Sequence, residues 1–209
     1  MADDIEHFEP LPFIAASGQQ PDTELDLALL ALAFGAITRQ DDSLADPFPP
    51  YQTHLSELAQ AAGTRHALLL KNGAQDTAQT QLAALKHTIN DTYGYEAEHN
   101  KTDPCHTANL LHTIDRRKGG PEPLGILYFH TAQKQGWDIA ILAFPYATIG
   151  RLEKGGTRLL FNPAQAGKLL QAQDLRAMAK DIAGDHTELS AEFYTPLTRR
   201  EILLRLQNV

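Results

Sequence analysis

One cysteine and nine histidines are the side chains of this chain best suited to nucleophilic or metal chemistry. Cys105 is followed directly by His106, just before an apolar segment with helical spacing. A thiol at a helix N-terminus is pushed toward the thiolate, which is the attacking species, and an imidazole within reach can carry the proton. Cys105 with His106, His112 or His130 is therefore one candidate set, suited to an acyl-transfer hydrolase or amidase. Against it, sequence neighbours rarely face each other, and a free cysteine is ordinarily a small packing residue. His99, Cys105, His106 and His112 are the nearest approach to a metal cluster. There is no HExxH, no CxxC and no histidine pair at i, i+4 with an acid between, so no metal and no cofactor are expected. Lys118-Gly119-Gly120 and Lys154-Gly155-Gly156 lack the long glycine loop of a phosphate cradle and read as a helix stop and a hairpin turn.

The elements that must position these residues follow from the apolar pattern. Residues 1–22 hold Pro10, Pro12, Gly18 and Pro21 and no sustained period, which predicts an irregular N-terminal arm anchored by Phe8, Leu11 and Phe13. A single domain is expected over 23–209, with a helical part at 23–104 and a core of one helix, a sheet and C-terminal helices at 105–209. Asp22 and Thr23 offer an N-cap for a buried helix over about 23–38. Further helices fit 51–62 and 75–92, separated by polar loops at 40–50 and 93–104. A short helix from about 105 stops at Arg116-Arg117-Lys118-Gly119-Gly120. Pro121-Glu122-Pro123 opens another over about 122–135, apolar almost all round and hence central. The pattern then changes to strands at 138–144, 148–153 and 157–161, and returns to helices near 171–183 and 198–207. Helices followed by a run of strands predict an α+β fold with a small antiparallel sheet.

The 209 residues suit one domain, and 43% hydrophobic with 21% charged residues is a globular composition. A net charge of −8 repels phosphate, which argues against nucleic acid or an anionic membrane as partner. The longest nearly apolar run, Leu27 to Ile37, is too short for a span of roughly 20 residues. One unpaired cysteine and an acidic N-terminus without a signal pattern fit a cytoplasmic protein.

An ordered set of motifs then carries a resemblance. Arg116-Arg117-Lys118-Gly119-Gly120-Pro121, Leu124-Gly125-Ile126-Leu127-Tyr128, Phe144-Pro145-Tyr146-Ala147-Thr148-Ile149-Gly150-Arg151-Leu152-Glu153, Phe161-Asn162-Pro163 and Ile202-Leu203-Leu204-Arg205-Leu206-Gln207-Asn208 stand in that order. Together they resemble the bacterial transglutaminase-like core family of the invasion-regulator or tetratricopeptide-associated type. That family's pattern runs "RRxGxPxxLxxLY", "FPGHFLxRxE", "xDPF" and "ILLRxLxN". The match is strongest over about 105–208 and looser over 23–92.

The resemblance implies a papain/transglutaminase-like core, with a nucleophile at the start of the central helix, a histidine on a following strand and an aspartate on the next. Mapped residue by residue, the nucleophile slot falls on Pro123, the histidine slot on Ala147 and the aspartate slot on Asn162. The neighbours Glu122, Tyr146 and Thr148 restore no Cys–His–Asp set. Losing the acid alone costs about 10⁴ in turnover in the serine-protease case. What the resemblance implies for this chain is thus a pseudoenzyme, a non-catalytic protein- or peptide-binding or regulatory module. The competing reading is the cysteine-dependent enzyme built on Cys105. Pairing of apolar helices into a homodimer is a further possibility. His130, seven residues beyond Pro123, lies on a similar helix face and reads as a core histidine with one hydrogen-bond partner.

Overall fold

The computed structural model describes residues 9–38, 48–98, 104–145, 147–183 and 189–207, with the side chains at 104, 105, 182 and 183 outside that description. Helices α1 (Pro10–Ser17), α2 (Leu27–Thr38), α3 (Phe48–Lys71) and α4 (Ala78–Lys86) lead into a π-helical turn over His87–Thr92. A short strand β1 (Glu96–Ala97) precedes α5 (Pro104–Ala108), α6 (Leu110–Arg116) and its own partner β2 (Lys118–Gly119). Helix α7 (Pro121–Lys134) follows, then β3 (Asp138–Leu142), β4 (Ile149–Lys154), β5 (Thr157–Asn162), β6 (Lys168–Leu169), α8 (Ala172–Ala183) and α9 (Arg199–Gln207).

Helix α7 is the axis of the molecule. Every residue from Pro123 to Ala132 is buried, as an all-round apolar sequence demands. It packs on α2, α3 and α9 and on the sheet strands β3 and β4. The sheet runs β3-β4-β5-β6, antiparallel throughout. Gly150 of β4 stands opposite Phe161 of β5. A Cβ at Gly150 would fall 2.2 Å from the Phe161 ring. That ring packs instead on Tyr128 of α7, centroids 5.3 Å apart. A second apolar cluster, with Leu142, Phe144 and Ile149 against Leu175 and Ala179 of α8, covers the other side of the sheet. The α+β expectation therefore holds, with the expected central helix and strands in place.

Several local expectations are corrected. The N-terminal arm is not irregular throughout, because Pro10–Ser17 is a helix with Pro10 in its first turn. Proline fits there since the first amides have no intrahelical partner. Of its proposed anchors, Phe13 packs against the core, Leu11 is 66% exposed, and Phe8 lies outside the described residues. Helix α2 starts at Leu27 rather than 23, because Asp26 takes the capping role by accepting from the Leu29 amide at 3.1 Å. Helix α3 runs from 48 to 71, beyond the predicted 51–62 at both ends. Its buried stripe of Leu55, Leu58, Ala59 and Ala62 ends early, and the continuation to Lys71 is half-buried or exposed, so no buried apolar stripe reveals it. The expected 93–104 loop contains β1, which pairs in parallel with β2. The helix from 105 is two helices. They break at Asn109, whose Oδ1 accepts from the amides of Leu111 at 2.9 Å and His112 at 3.4 Å.

Candidate functional site

The start of α7 is the place to build from. Gly120 is its N-cap residue and supplies no side-chain cap, so Pro121, Glu122 and Pro123 form the first turn. A helix start normally offers several free backbone N–H groups. Proline has none, so two of these three positions contribute no donor, and Glu122 alone keeps its amide. Pro123 is buried.

The segment before β4 lies against this turn. Thr148 Oγ1 donates to Glu122 Oε1 at 3.3 Å. Gly125, one turn into α7, is packed so closely that a Cβ there would sit 2.5 Å from Thr148 Cγ2. Ala147, half-buried, immediately precedes Thr148. Arg205 reaches over from α9 and donates to the Phe144 carbonyl at 3.0 Å. Burial lowers the guanidinium's pKa, and the carboxylates of Glu122 and Glu201 oppose that shift. Asn162 ends β5, and one further step of the Gly150–Phe161 register brings it opposite Ile149. Its Oδ1 accepts from the Ala164 amide at 3.0 Å and its carbonyl accepts from the Gly167 amide at 3.0 Å. It is 8% exposed and serves as the N-cap of a short 3₁₀ turn, Pro163–Gln165, that packs on α7. The slots at Pro123, Ala147 and Asn162 thus lie where α7 meets one end of the sheet, and Tyr146 lies outside the described residues.

Of the alternative set, the described side chains are His106, His112 and His130. His106 and His112 stack, ring centroids 3.8 Å apart and planes at 20°. Nearly parallel rings aim their nitrogen lone pairs side by side rather than at one point, which suits stacking better than metal ligation. His99 and the Cys105 side chain lie outside the described residues. His130 is buried, 6% exposed, and turns toward α2 and α3. Burial lowers its pKa first, with Lys134 acting in the same direction. The Asp26 charge and the Leu55 backbone carbonyl that its ring hydrogen-bonds work against the shift. Its Nε2 has no hydrogen-bond partner. Among the described residues no three potential ligands gather into a metal site.

Sequence reasoning missed one polar cluster. Arg117, read as a cation in a stop signal, is the C-cap of α6 at φ +58°. Its guanidinium lies over the Tyr95 ring, 4.9 Å from the centroid, and donates to the Tyr95 hydroxyl. His54 of α3 completes the group, with Nε2 2.7 Å from the Tyr95 hydroxyl and 2.8 Å from Arg117 Nη1. Burial and the Arg117 charge lower the His54 pKa to about 4, while burial raises that of Tyr95. A neutral imidazole with its lone pair at Nε2 accepts there from the Arg117 donor. The partners are 41 and 63 residues apart, so no local signal could reveal them.

The model of the transglutaminase-like superfamily matches residues 50–208. Among curated proteins, a UPF0162 protein of Xylella fastidiosa strain Temecula1 is 25% identical over 129 residues, covering 60% of this chain and 46% of that relative. Its counterpart in strain 9a5c is 24% identical over the same extent. The chain therefore spans about half the length of the curated relatives it matches. No solved structure matches. No helix among the described residues is long and apolar enough to cross a membrane.

Proposed function

We propose, for a chain that belongs to the transglutaminase-like superfamily, a non-catalytic role as a protein- or peptide-binding or regulatory module. The observation that carries it is Pro123 in the first turn of α7. Proline at that slot offers no nucleophile. It also removes a backbone N–H from the helix end where an acyl-transfer enzyme would hold its oxyanion. Two further features support the same role. The Ala147 side chain cannot move a proton, and Asn162 carries no charge with which to orient an imidazolium. Next to Ala147, Thr148 donates to the Glu122 carboxylate, so that carboxylate is already held by the chain's own hydroxyl.

Hydrolysis of p-nitrophenyl acetate and incorporation of dansylcadaverine into casein, each followed from about pH 6 to 9, test this role. Rates equal to buffer, with or without iodoacetamide, are expected. Turnover lost on alkylation of Cys105 would overturn it and leave the cysteine-dependent enzyme. Binding is tested by crosslinking the tagged protein in its own host. Recurrent crosslinks from a defined partner are expected, and the absence of any specific partner would count against the module.

A further inference from the structure

Helices α1, α2 and α9 surround an open cavity of about 230 Å³. Most of its wall is apolar: Ile14 on α1, Leu25 just before α2, Leu30 and Phe34 on α2, and Leu203 and Leu204 on α9. On α9 the lining residues Arg200, Leu203, Leu204 and Gln207 stand at i, i+3, i+4 and i+7. They therefore form one stripe about 10 Å long, polar at both ends and apolar between. Leu204 is 55% exposed and marks the solvent side of the stripe. Phe34 and Gln207 also line a second cavity, of about 300 Å³, beside Gly35 and Thr38.

Hydrogen-bonding capacity is left over at the Arg200 end. Ser17 lines the cavity and is 4% exposed, and no other group among the described residues hydrogen-bonds its hydroxyl. A buried hydroxyl ordinarily has a partner. Arg200 donates through Nη2 to the Gly18 carbonyl at 3.2 Å and the Gln20 carbonyl at 2.6 Å. Its Nη1 stands 3.8 Å from Asp22, whose oxygens already accept from the amides of Arg199 and Arg200. A guanidinium has five N–H donors and no acceptor, so these contacts leave it donors to spare. The neighbouring carbonyls and carboxylate are engaged, and what remains at this end is mainly the capacity to donate.

We infer that the cavity binds a medium-chain acyl group, with its carboxylate or carbonyl oxygen at Ser17 and Arg200 and its hydrocarbon chain along Leu203 and Leu204. The head must accept hydrogen bonds, because donors are what the polar end has free. A cationic head would meet the guanidinium and be repelled. Size and shape set the tail. The volume exceeds the roughly 150 Å³ of a cavity that admits benzene and falls short of the about 300–1,000 Å³ of drug-sized pockets. A stripe about 10 Å long accommodates an extended chain of roughly eight carbons. A free fatty acid and an esterified acyl group share this chemistry.

Methyl NMR on the full chain, titrated with octanoate, 1-monooctanoylglycerol and octylammonium, tests this. Saturating shifts at Ile14, Leu30 and Leu203 are expected with a Kd of about 0.1–1 mM for the acyl probes. The tighter of the two identifies the source, octanoate a free acid and the glyceride an ester. Octylammonium should bind at least about tenfold more weakly, and hexanoate about tenfold more weakly than octanoate for its two missing methylenes. Ser17→Ala breaks no existing hydrogen bond, so it should fold normally by circular dichroism while binding the acyl probes about three- to tenfold more weakly. No saturating shift at these methyls with either acyl probe overturns the inference. So does octylammonium binding as tightly as octanoate, or a folded Ser17→Ala variant with unchanged affinity. Shifts at the same methyls on dilution of the protein alone would assign the cavity to a second copy of the chain and overturn it equally.

Discussion

Acidification should expose the cost of holding His54 uncharged. The Arg117 guanidinium and the Tyr95 hydroxyl both approach its Nε2, at 2.8 and 2.7 Å, and a proton on that nitrogen would turn its contact with the Arg117 donor into repulsion. Its pKa falls from 6.5 to about 4, through burial first and the Arg117 charge second. The unfolded chain therefore binds the proton more readily than the folded one. Stability from this group is complete above about pH 6.5 and is lost as pH falls toward 4, with no further loss below. At 1.36 kcal/mol per pKa unit the upper bound is about 3.4 kcal/mol. The ring is only half-buried, and solvent screening reduces this to about 1–2 kcal/mol. His130, also lowered by burial, adds a contribution of the same sign, so wild type alone cannot isolate His54. Urea unfolding of wild type and His54→Gln at intervals between pH 7 and 4 makes the separation. The glutamine carbonyl can accept from Arg117 but does not titrate, so the variant should lose part of the pH slope and keep the part due to His130. An unchanged slope, or an NMR titration placing the His54 ring near 6.5, would refute the reasoning.

Two further perturbations test packing near the site. Asn109 caps α6 and also donates to the Gly35 carbonyl at 2.9 Å and the Thr38 hydroxyl at 3.2 Å. Asn109→Ala should cost about 1–3 kcal/mol by losing the cap and one of the two side-chain donors to the Gly35 carbonyl, the other being the Thr38 hydroxyl, seen as a melting temperature lower by roughly 3–10 °C. A decrease under about 2 °C would show that the bridge is idle. Gly125→Ala gains about 1 kcal/mol of helix propensity. It also forces a methyl to within 2.5 Å of Thr148 Cγ2, which costs about 1–3 kcal/mol. Net destabilisation is expected in the same melt, together with an altered Thr148 environment by NMR, and a stabilised variant would mean that the α7–β4 approach is slacker than described.

How much of this was legible in the sequence depends on how far apart the interacting residues lie. Helix α7, strands β3 to β5 and helices α8 and α9 follow from local apolar period and from stop signals such as Gly155-Gly156, where both φ values are positive. Helix α1 was hidden because Pro10 and Pro12 read as breakers, whereas the first turn of a helix tolerates them. The second half of α3 was hidden because it carries no buried apolar stripe. The β1–β2 pair was hidden because its strands are two residues long and 22 residues apart in register, Glu96 with Lys118. The slots at Pro123, Ala147 and Asn162 came from ordered motifs. The engagement of Glu122 by Thr148 did not, since nothing in a residue type tells which hydroxyl will reach which carboxylate.

Under the proposed non-catalytic role, the residues at the three slots would keep the architecture of the fold without its chemistry. Asn162 caps the Pro163–Gln165 turn through its side-chain oxygen, a task asparagine and aspartate perform about equally well. An aspartate there would serve both fold and catalysis, and the amide keeps the first role without the second. Proline in the first helical turn sets φ near the helical value at no hydrogen-bond cost, so Pro123 favours the start of α7. Ala147 directly precedes Thr148, which closes on Glu122 and packs against Gly125. At each of these positions the demands of folding would, on the proposed reading, be met by groups that acyl-transfer chemistry does not use. The packing around α7 and the reactivity at its N-terminus are separable properties.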